Sequence, residues 1–143
     1  MPEEKIFDLT GKCACGAVQV KAKVPKTYGV CHCQMCRRWC GGMWMAVYPV
    51  EPPVITGPVK IWKSSKYADR AICENCGSAI WHRPLKIKRP VLGQGLFDDQ
   101  EGWQMNRQIF TDDKPDHYGF GDTGRVMTGW GAIVSIFTGQ MPK

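Results

Sequence analysis

Seven of the eight cysteines in this chain fall in three tight groups: Cys13-Ala-Cys15, Cys31-His-Cys33-Gln-Met-Cys36 and Cys73-Glu-Asn-Cys76. Thiolates one or two residues apart can converge on a tetrahedral Zn²⁺ at about 2.3 Å each, so the spacing ties distant stretches of chain to common points. Four sulfurs plus three suggest two sites. A site with four protein thiolates is closed and structural, whereas one with three leaves a position for a ligand from solution. The chain has 143 residues, enough for one domain with a modest core. A structural zinc site contributes roughly 10 to 16 kcal/mol, comparable with the whole stability of such a domain. The metal-free chain is therefore expected to be loose or unfolded.

A disulfide framework is the rival use of so many cysteines. The N-terminal run Met1-Pro-Glu-Glu-Lys-Ile-Phe-Asp8 carries charges where a secretory signal needs an apolar stretch, and no later segment is an uninterrupted apolar span. A cytoplasmic location with no membrane partner is expected, and a reducing compartment favours metal over disulfides. Spacing alone leaves an iron–sulfur cluster open. The formal charge of +6 counts cysteines as neutral. Seven thiolates and two Zn²⁺ lower that sum by about 3. The remainder suits an anionic small molecule or a weak nucleic-acid contact. The basic run Lys86-Ile-Lys88-Arg89 is short and reads as a solvated strand face, so nucleic-acid binding is not expected.

Strand signals recur along the chain. Val18, Val20, Ala22 and Val24 alternate with Gln19, Lys21 and Lys23, the period of a half-buried strand. Further strands are expected over residues 43–48, 59–63, 79–83 and 85–88, with a weaker one over 108–111. Residues 34–39 are the one stretch able to make a helical turn, ended by Gly41-Gly42. Glycines between Gly119 and Gly131 predict irregular structure, and the apolar segment Ala132–Phe137 reads as a short edge or core strand and a candidate subunit interface of a homo-oligomer. The reading is one mainly β domain over 1–143, with the motifs inside 7–118 and a Gly-rich, apolar C-terminal extension over 119–143.

The groups divide by chemistry. Cys73-Glu-Asn-Cys76-Gly77 has the form of a zinc knuckle, with glycine supplying the positive φ that closes the turn. Cys13 and Cys15 need a bend to share one ion with Cys73 and Cys76, and Gly11 and Gly16 flank them to permit it. Such a four-sulfur site staples the sheet. Cys31, Cys33 and Cys36 can reach a second ion from one loop. Three thiolates more than neutralise Zn²⁺ and leave a weakly Lewis-acidic, thiophilic centre, suited to an incoming thiol rather than to ionising water. Cys40, four residues on, is either a fourth ligand closing this site or a small buried residue beside Trp39.

Neighbouring residues carry weaker signals. His32 is expected to point away from the metal of its flanking ligands, into a lining or surface position, and His82 and His117 are isolated in sequence. Arg37 and Arg38 are placed to offset the thiolate charge or clamp a carboxylate. Trp39, Trp44, Trp62 and Trp81 could line a cleft or simply fill a core. Asp98-Asp99 in a Gly-rich context reads as a turn.

The motifs Gly11-Lys-Cys13-Ala-Cys15-Gly16-Ala-Val18, Cys31-His-Cys33-Gln-Met-Cys36-Arg37-Arg38 and Cys73-Glu-Asn-Cys76-Gly77-Ser78, in that order, resemble the glutathione-dependent formaldehyde-activating enzymes and the related centromere protein V domain. The resemblance implies an all-β, Mss4-like fold of several coiled antiparallel sheets, with a structural zinc on Cys13, Cys15, Cys73 and Cys76. It also implies a catalytic-type zinc on Cys31, Cys33 and Cys36, and a carbon–sulfur lyase that joins glutathione, or a similar thiol, to formaldehyde or another small aldehyde. Cys40 is an addition to the family pattern. The competing expectation is a non-catalytic, zinc-stabilised module that binds protein or nucleic acid through its Trp-rich face or its apolar C-terminal segment.

Overall fold

The computed structural model describes residues 3–121 and 125–139. Two sheets dominate it. The smaller contains β1 (Ile6–Lys12), β2 (Gln19–Pro25) and β5 (Val54–Thr56) in the antiparallel order β1-β2-β5. The larger contains β3 (Thr27–Cys31), β4 (Trp44–Val47), β6 (Val59–Ser65), β7 (Ala68–Cys73), β8 (Ala79–Pro84), β9 (Val91–Gly93), β10 (Gln104–Ile109) and β11 (Arg125–Val126). Its order is β11-β10-β3-β4-β9-β8-β7-β6. Pairing is antiparallel except where β10 lies parallel to β3 and to β11. The mainly β, antiparallel expectation holds.

Alternation in the sequence becomes burial in the sheet. Val20, Ala22 and Val24 of β2 face inward with Val18, while Gln19, Lys21 and Lys23 are exposed. That inner row meets Ile80, Trp81 and Leu92 from the large sheet, forming the main core between the layers. A smaller core gathers Cys31, Cys36, Trp44, Ala46 and Val91, and the candidate site is built on it. The layers also touch through backbone. Asp98 N–H donates to the Thr10 carbonyl at 3.0 Å, and Gly11 bridges Phe97 so closely that a side chain there would strike the Leu96 carbonyl.

Two expectations fail locally. Residues 85–88 form a turn rather than a strand: Leu85 N–H reaches the Tyr67 carbonyl at 2.9 Å, Ile87 and Lys88 fold back on Pro84, and Lys88 takes φ 61. Pro84 and Pro90 bracket the segment and remove donors a strand would need. The C-terminal apolar segment is helical. α2 (Gly129–Thr138) is capped by Thr128, whose hydroxyl accepts from Gly131 N–H at 3.1 Å, and ends at Gly139 with φ 69. Cap and stop residues override the strand preference of Ile133, Val134 and Ile136. The other helix, α1 (Gln34–Cys40), lies where the helical turn was expected. Residues 122–124 of the Gly-rich stretch and 140–143 of the extension lie outside the described residues. Neither described helix is long and apolar enough to cross a membrane.

Candidate metal centres and the adjoining cleft

The first cysteine group is made by two turns from different sheets. After β1, Gly16 N–H donates to the Cys13 carbonyl at 3.0 Å with Gly16 at φ 82, which bends the chain so that Cys13 and Cys15 bring their sulfurs to 3.6 Å. After β7, Gly77 N–H closes on the Cys73 carbonyl at 2.9 Å with φ 76. Ser78 Oγ accepts from Ala14 N–H at 3.1 Å and docks one turn on the other. The Cys15 and Cys73 sulfurs stand 3.8 Å apart, and the four Sγ atoms lie within 4.8 Å of one another, a group able to hold a metal ion. The group thus joins the small sheet to the large one. Hydrogen bonding from the Ser78 hydroxyl, at 3.1 Å, is the leading cause that draws the Cys76 thiol down to about 5.

The second group sits where β3 hands over to α1. Cys31 is the last residue of β3, Cys33 is the N-cap of α1, and Cys36 lies in the helix's first turn, its N–H donating to Cys33 Sγ at 3.3 Å. All three Sγ atoms lie within 4.8 Å of one another, and this group too could hold a metal ion. The bare thiols cannot all ionise together. The hydrogen bond from Cys31 holds Cys33 down to about 2, while Cys31 is pushed well up by sharing a proton with Cys33. Cys31 exerts the largest single pull on Cys36, downward, but Cys33 and burial together carry it up to about 11. A divalent cation removes that conflict.

His32 lies between the ligands of the second group and points away from them, but not to the surface. It is fully buried, with Nε2 2.7 Å from Gln108 Oε1 and Nδ1 2.9 Å from the Tyr118 hydroxyl. Burial lowers its pKa, so it stays neutral and pins the site to β10 and the loop after it. Cys40 is exposed rather than buried, and its thiol donates to the carbonyls of Cys36 and Gly42 at 3.1 and 3.2 Å. Its sulfur does not belong to the three-sulfur cluster.

The arginine beside the sulfurs is not one the sequence singled out. Arg37 donates to the His32 carbonyl at 3.0 Å and to the Asp113 carbonyl, and Arg38 is exposed. Arg70, on β7 and only 4% exposed, instead places both terminal nitrogens 3.5 and 3.6 Å from Cys36 Sγ. Its guanidinium lies 4.5 Å from the centroid of Trp39, which packs on Trp44. Arg70 Nε and Trp39 Nε1 are buried without a hydrogen-bond partner among the described residues. The sequence signal that could have pointed here is an arginine three residues ahead of Cys73, the first cysteine of the third group.

The three cysteines open on a cleft of about 350 Å³. Trp44, Ala46, Arg70 and His82 line its floor, and Ile133, Ile136 and Phe137 of α2 form one wall. Burial is the main cause that brings His82 down to about 4, so a neutral imidazole faces the cleft. Trp81 fills the main core, Trp62 is half-buried on β6, His117 is exposed, and Asp99 is paired with Lys26 at 2.7 Å. None of these four lines the cleft.

Three comparisons bear on this arrangement. Residues 8–113 match the family model described as glutathione-dependent formaldehyde-activating enzyme, a span that includes both cysteine groups and stops short of α2. An uncharacterized lyase of Schizosaccharomyces pombe is 33% identical over 126 residues, covering 85% of this chain and 91% of that protein. A crystal structure of a Rhodobacter sphaeroides protein superposes with a TM-score of 0.53 at 18% identity, over 84% of this chain and 100% of that one, a likeness of fold.

Proposed function

Because the chain belongs to the glutathione-dependent formaldehyde-activating enzyme family, we propose that it is a carbon–sulfur lyase, joining a small aldehyde to a low-molecular-weight thiol such as glutathione or releasing it. The site is Cys31, Cys33 and Cys36 with a zinc ion, and the zinc of Cys13, Cys15, Cys73 and Cys76 is structural. The observation that carries this reading is the pairing of three converged sulfurs with an open cleft at their side. The donor set fits zinc: the residues are soft thiols, and Arg70 stands where it offsets surplus thiolate charge. Bound there, zinc would keep an incoming thiol in its nucleophilic, deprotonated form.

The chain's own residues account for the remaining requirements. Adding a thiol to an aldehyde forms one C–S bond, breaks S–H, and moves that proton to the carbonyl oxygen with no change of oxidation state. His82, with its pKa brought down to about 4 by burial, stays neutral near pH 7 and can offer a ring N–H to the carbonyl oxygen as a hydrogen-bond donor. Trp44 and the α2 wall give the cleft an apolar lining, and Arg70 would offset the charge of Cys36 as a zinc-bound thiolate. The test is exchange between free and glutathione-bound hydroxymethyl groups, followed by NMR on zinc-loaded protein. Catalysed exchange that is lost in a folded Cys33→Ser variant supports the lyase. No catalysis by the fully loaded wild type would leave a zinc-stabilised binding module as the better account.

A further inference from the structure

The wall that completes the cleft comes from a segment outside the span the family model matches. α2 begins sixteen residues beyond position 113. It is anchored at its start, where Gly129 N–H donates to Asp112 Oδ1 at 2.5 Å and the glycine lies against the Phe110 ring with no room for a side chain. At its far end Phe137 meets Tyr67, from the turn between β6 and β7, edge to face at 5.8 Å. The helix thus spans the cleft from the β10 side to the β7 side. Ile133, Ile136 and Phe137 share the lining of the cleft with Ala68, Pro84 and Ile109.

Size and charge describe what belongs there. A volume of about 350 Å³ reaches the range of small-molecule sites, roughly 300–1,000 Å³. With the thiol sulfur at the cysteine end, a one-carbon aldehyde, little larger than a water of about 30 Å³, would not reach along the apolar stretch that α2 lines. The lining residues include no carboxylate, and the guanidinium of Arg70 is already directed at Cys36 Sγ. Burying a charged substrate arm between isoleucines and phenylalanine would cost its hydration without a partner to replace it.

We infer that the aldehyde partner carries an apolar arm, a straight or aromatic hydrocarbon of several carbons, and that α2 is the element that selects it. The inference rests on the lyase reading for its reaction and deepens it by naming the carbonyl class. The aldehyde carbon sits at the sulfur end of the cleft, and the arm lies along Ile133, Ile136 and Phe137. Thiol addition then gives the hemithioacetal, with the sulfur proton passing to the carbonyl oxygen and no other reactant needed.

Binding tests the arm without the chemistry. Ethanol, butanol, hexanol and octanol match the aldehydes in shape but cannot add a thiol, and their affinities for the zinc-loaded protein can be measured by titration calorimetry. Dissociation constants should fall about fourfold per methylene until the cleft is filled. Phe137→Ala and Ile133→Ala, verified as folded by circular dichroism, should flatten that dependence. Trp130→Ala, on a residue 74% exposed and absent from the lining, should leave it intact. Affinity that does not change with chain length, or a methylene increment untouched by both α2 variants, overturns the proposal. A methylene increment without adduct formation from any aldehyde upholds the apolar site and sinks the lyase reading. Adduct formation from formaldehyde with flat alcohol binding does the reverse.

Discussion

Arg70 shows how one side chain can set the chemistry of a cysteine cluster. Its guanidinium lies between Cys36 Sγ and the Trp39 ring, where a cation lowers the cost of gathering thiolates in a buried place. Arg70→Met is expected to weaken metal binding at Cys31, Cys33 and Cys36 by about 10- to 100-fold while sparing the four-cysteine site. Competition with a graded series of chelators separates the two affinities, and equal weakening at both would contradict the assignment. His82 gives a pH signature. Its pKa is about 4 in the fold against 6.5 for the ordinary group, so between these values the unfolded chain binds the extra proton. Stability is therefore full above pH 6.5 and falls as pH drops toward 4, by on the order of 1 kcal/mol per pH unit. His82→Gln should remove that slope, read as the difference in urea midpoint between variant and parent from pH 6.5 to 5. At this scale the grouping of the cysteines was legible because metal geometry constrains sequence spacing directly. Arg70 and the burial of His32 were not, since each depends on partners distant in sequence: Cys36 for one, Gln108 and Tyr118 for the other.

Elements followed their local signals where one signal dominated. β2 formed on its alternation and α1 stopped at Gly41, whose φ of 85 lets its N–H return to the Arg37 carbonyl at 2.9 Å. α2 went the other way because Thr128 and Gly139 define a helix around residues that, read by composition, favour strands. β1, β3, β5, β7, β9 and β11 were not singled out. β1 takes its place through pairing with β2 along its whole length, and Val91–Gly93 is too short to show a period. The contact between the layers depends on Gly11, where backbone meets backbone at Leu96 and Phe97. Gly11→Ala should destabilise the protein by about 1–3 kcal/mol through forced separation of these segments. Its denaturant midpoint should drop without loss of either metal from the folded state, and an unchanged midpoint would show the layers to be looser than described.

For the whole molecule, the four-cysteine group stands at the joint between the two sheets and the three-cysteine group lines the cleft. The joint links the turn after β1, in the small sheet, to the turn after β7, in the large one, so its loss frees two layers at once. Cys76→Ser should leave a chain without a cooperative unfolding transition, and chelation of both metals should do the same to the parent. Cys33→Ser should unfold cooperatively at nearly the parental midpoint, because Cys33 stands at a helix cap outside the joint. The mainly β architecture and the division of cysteines into four and three were accessible from the sequence, as motif order and alternation encode both. The cleft was not, because its walls come from the β6–β7 turn, β8, β10 and α2, which meet only in the folded chain. The central claim is that the second site keeps a position open to thiol. X-ray absorption at the zinc edge, with metal stoichiometry and with and without glutathione, measures this directly. The account predicts two ions per chain and an average sulfur coordination that rises when glutathione is added. Two ions already saturated with four sulfurs each, and indifferent to glutathione, would contradict it.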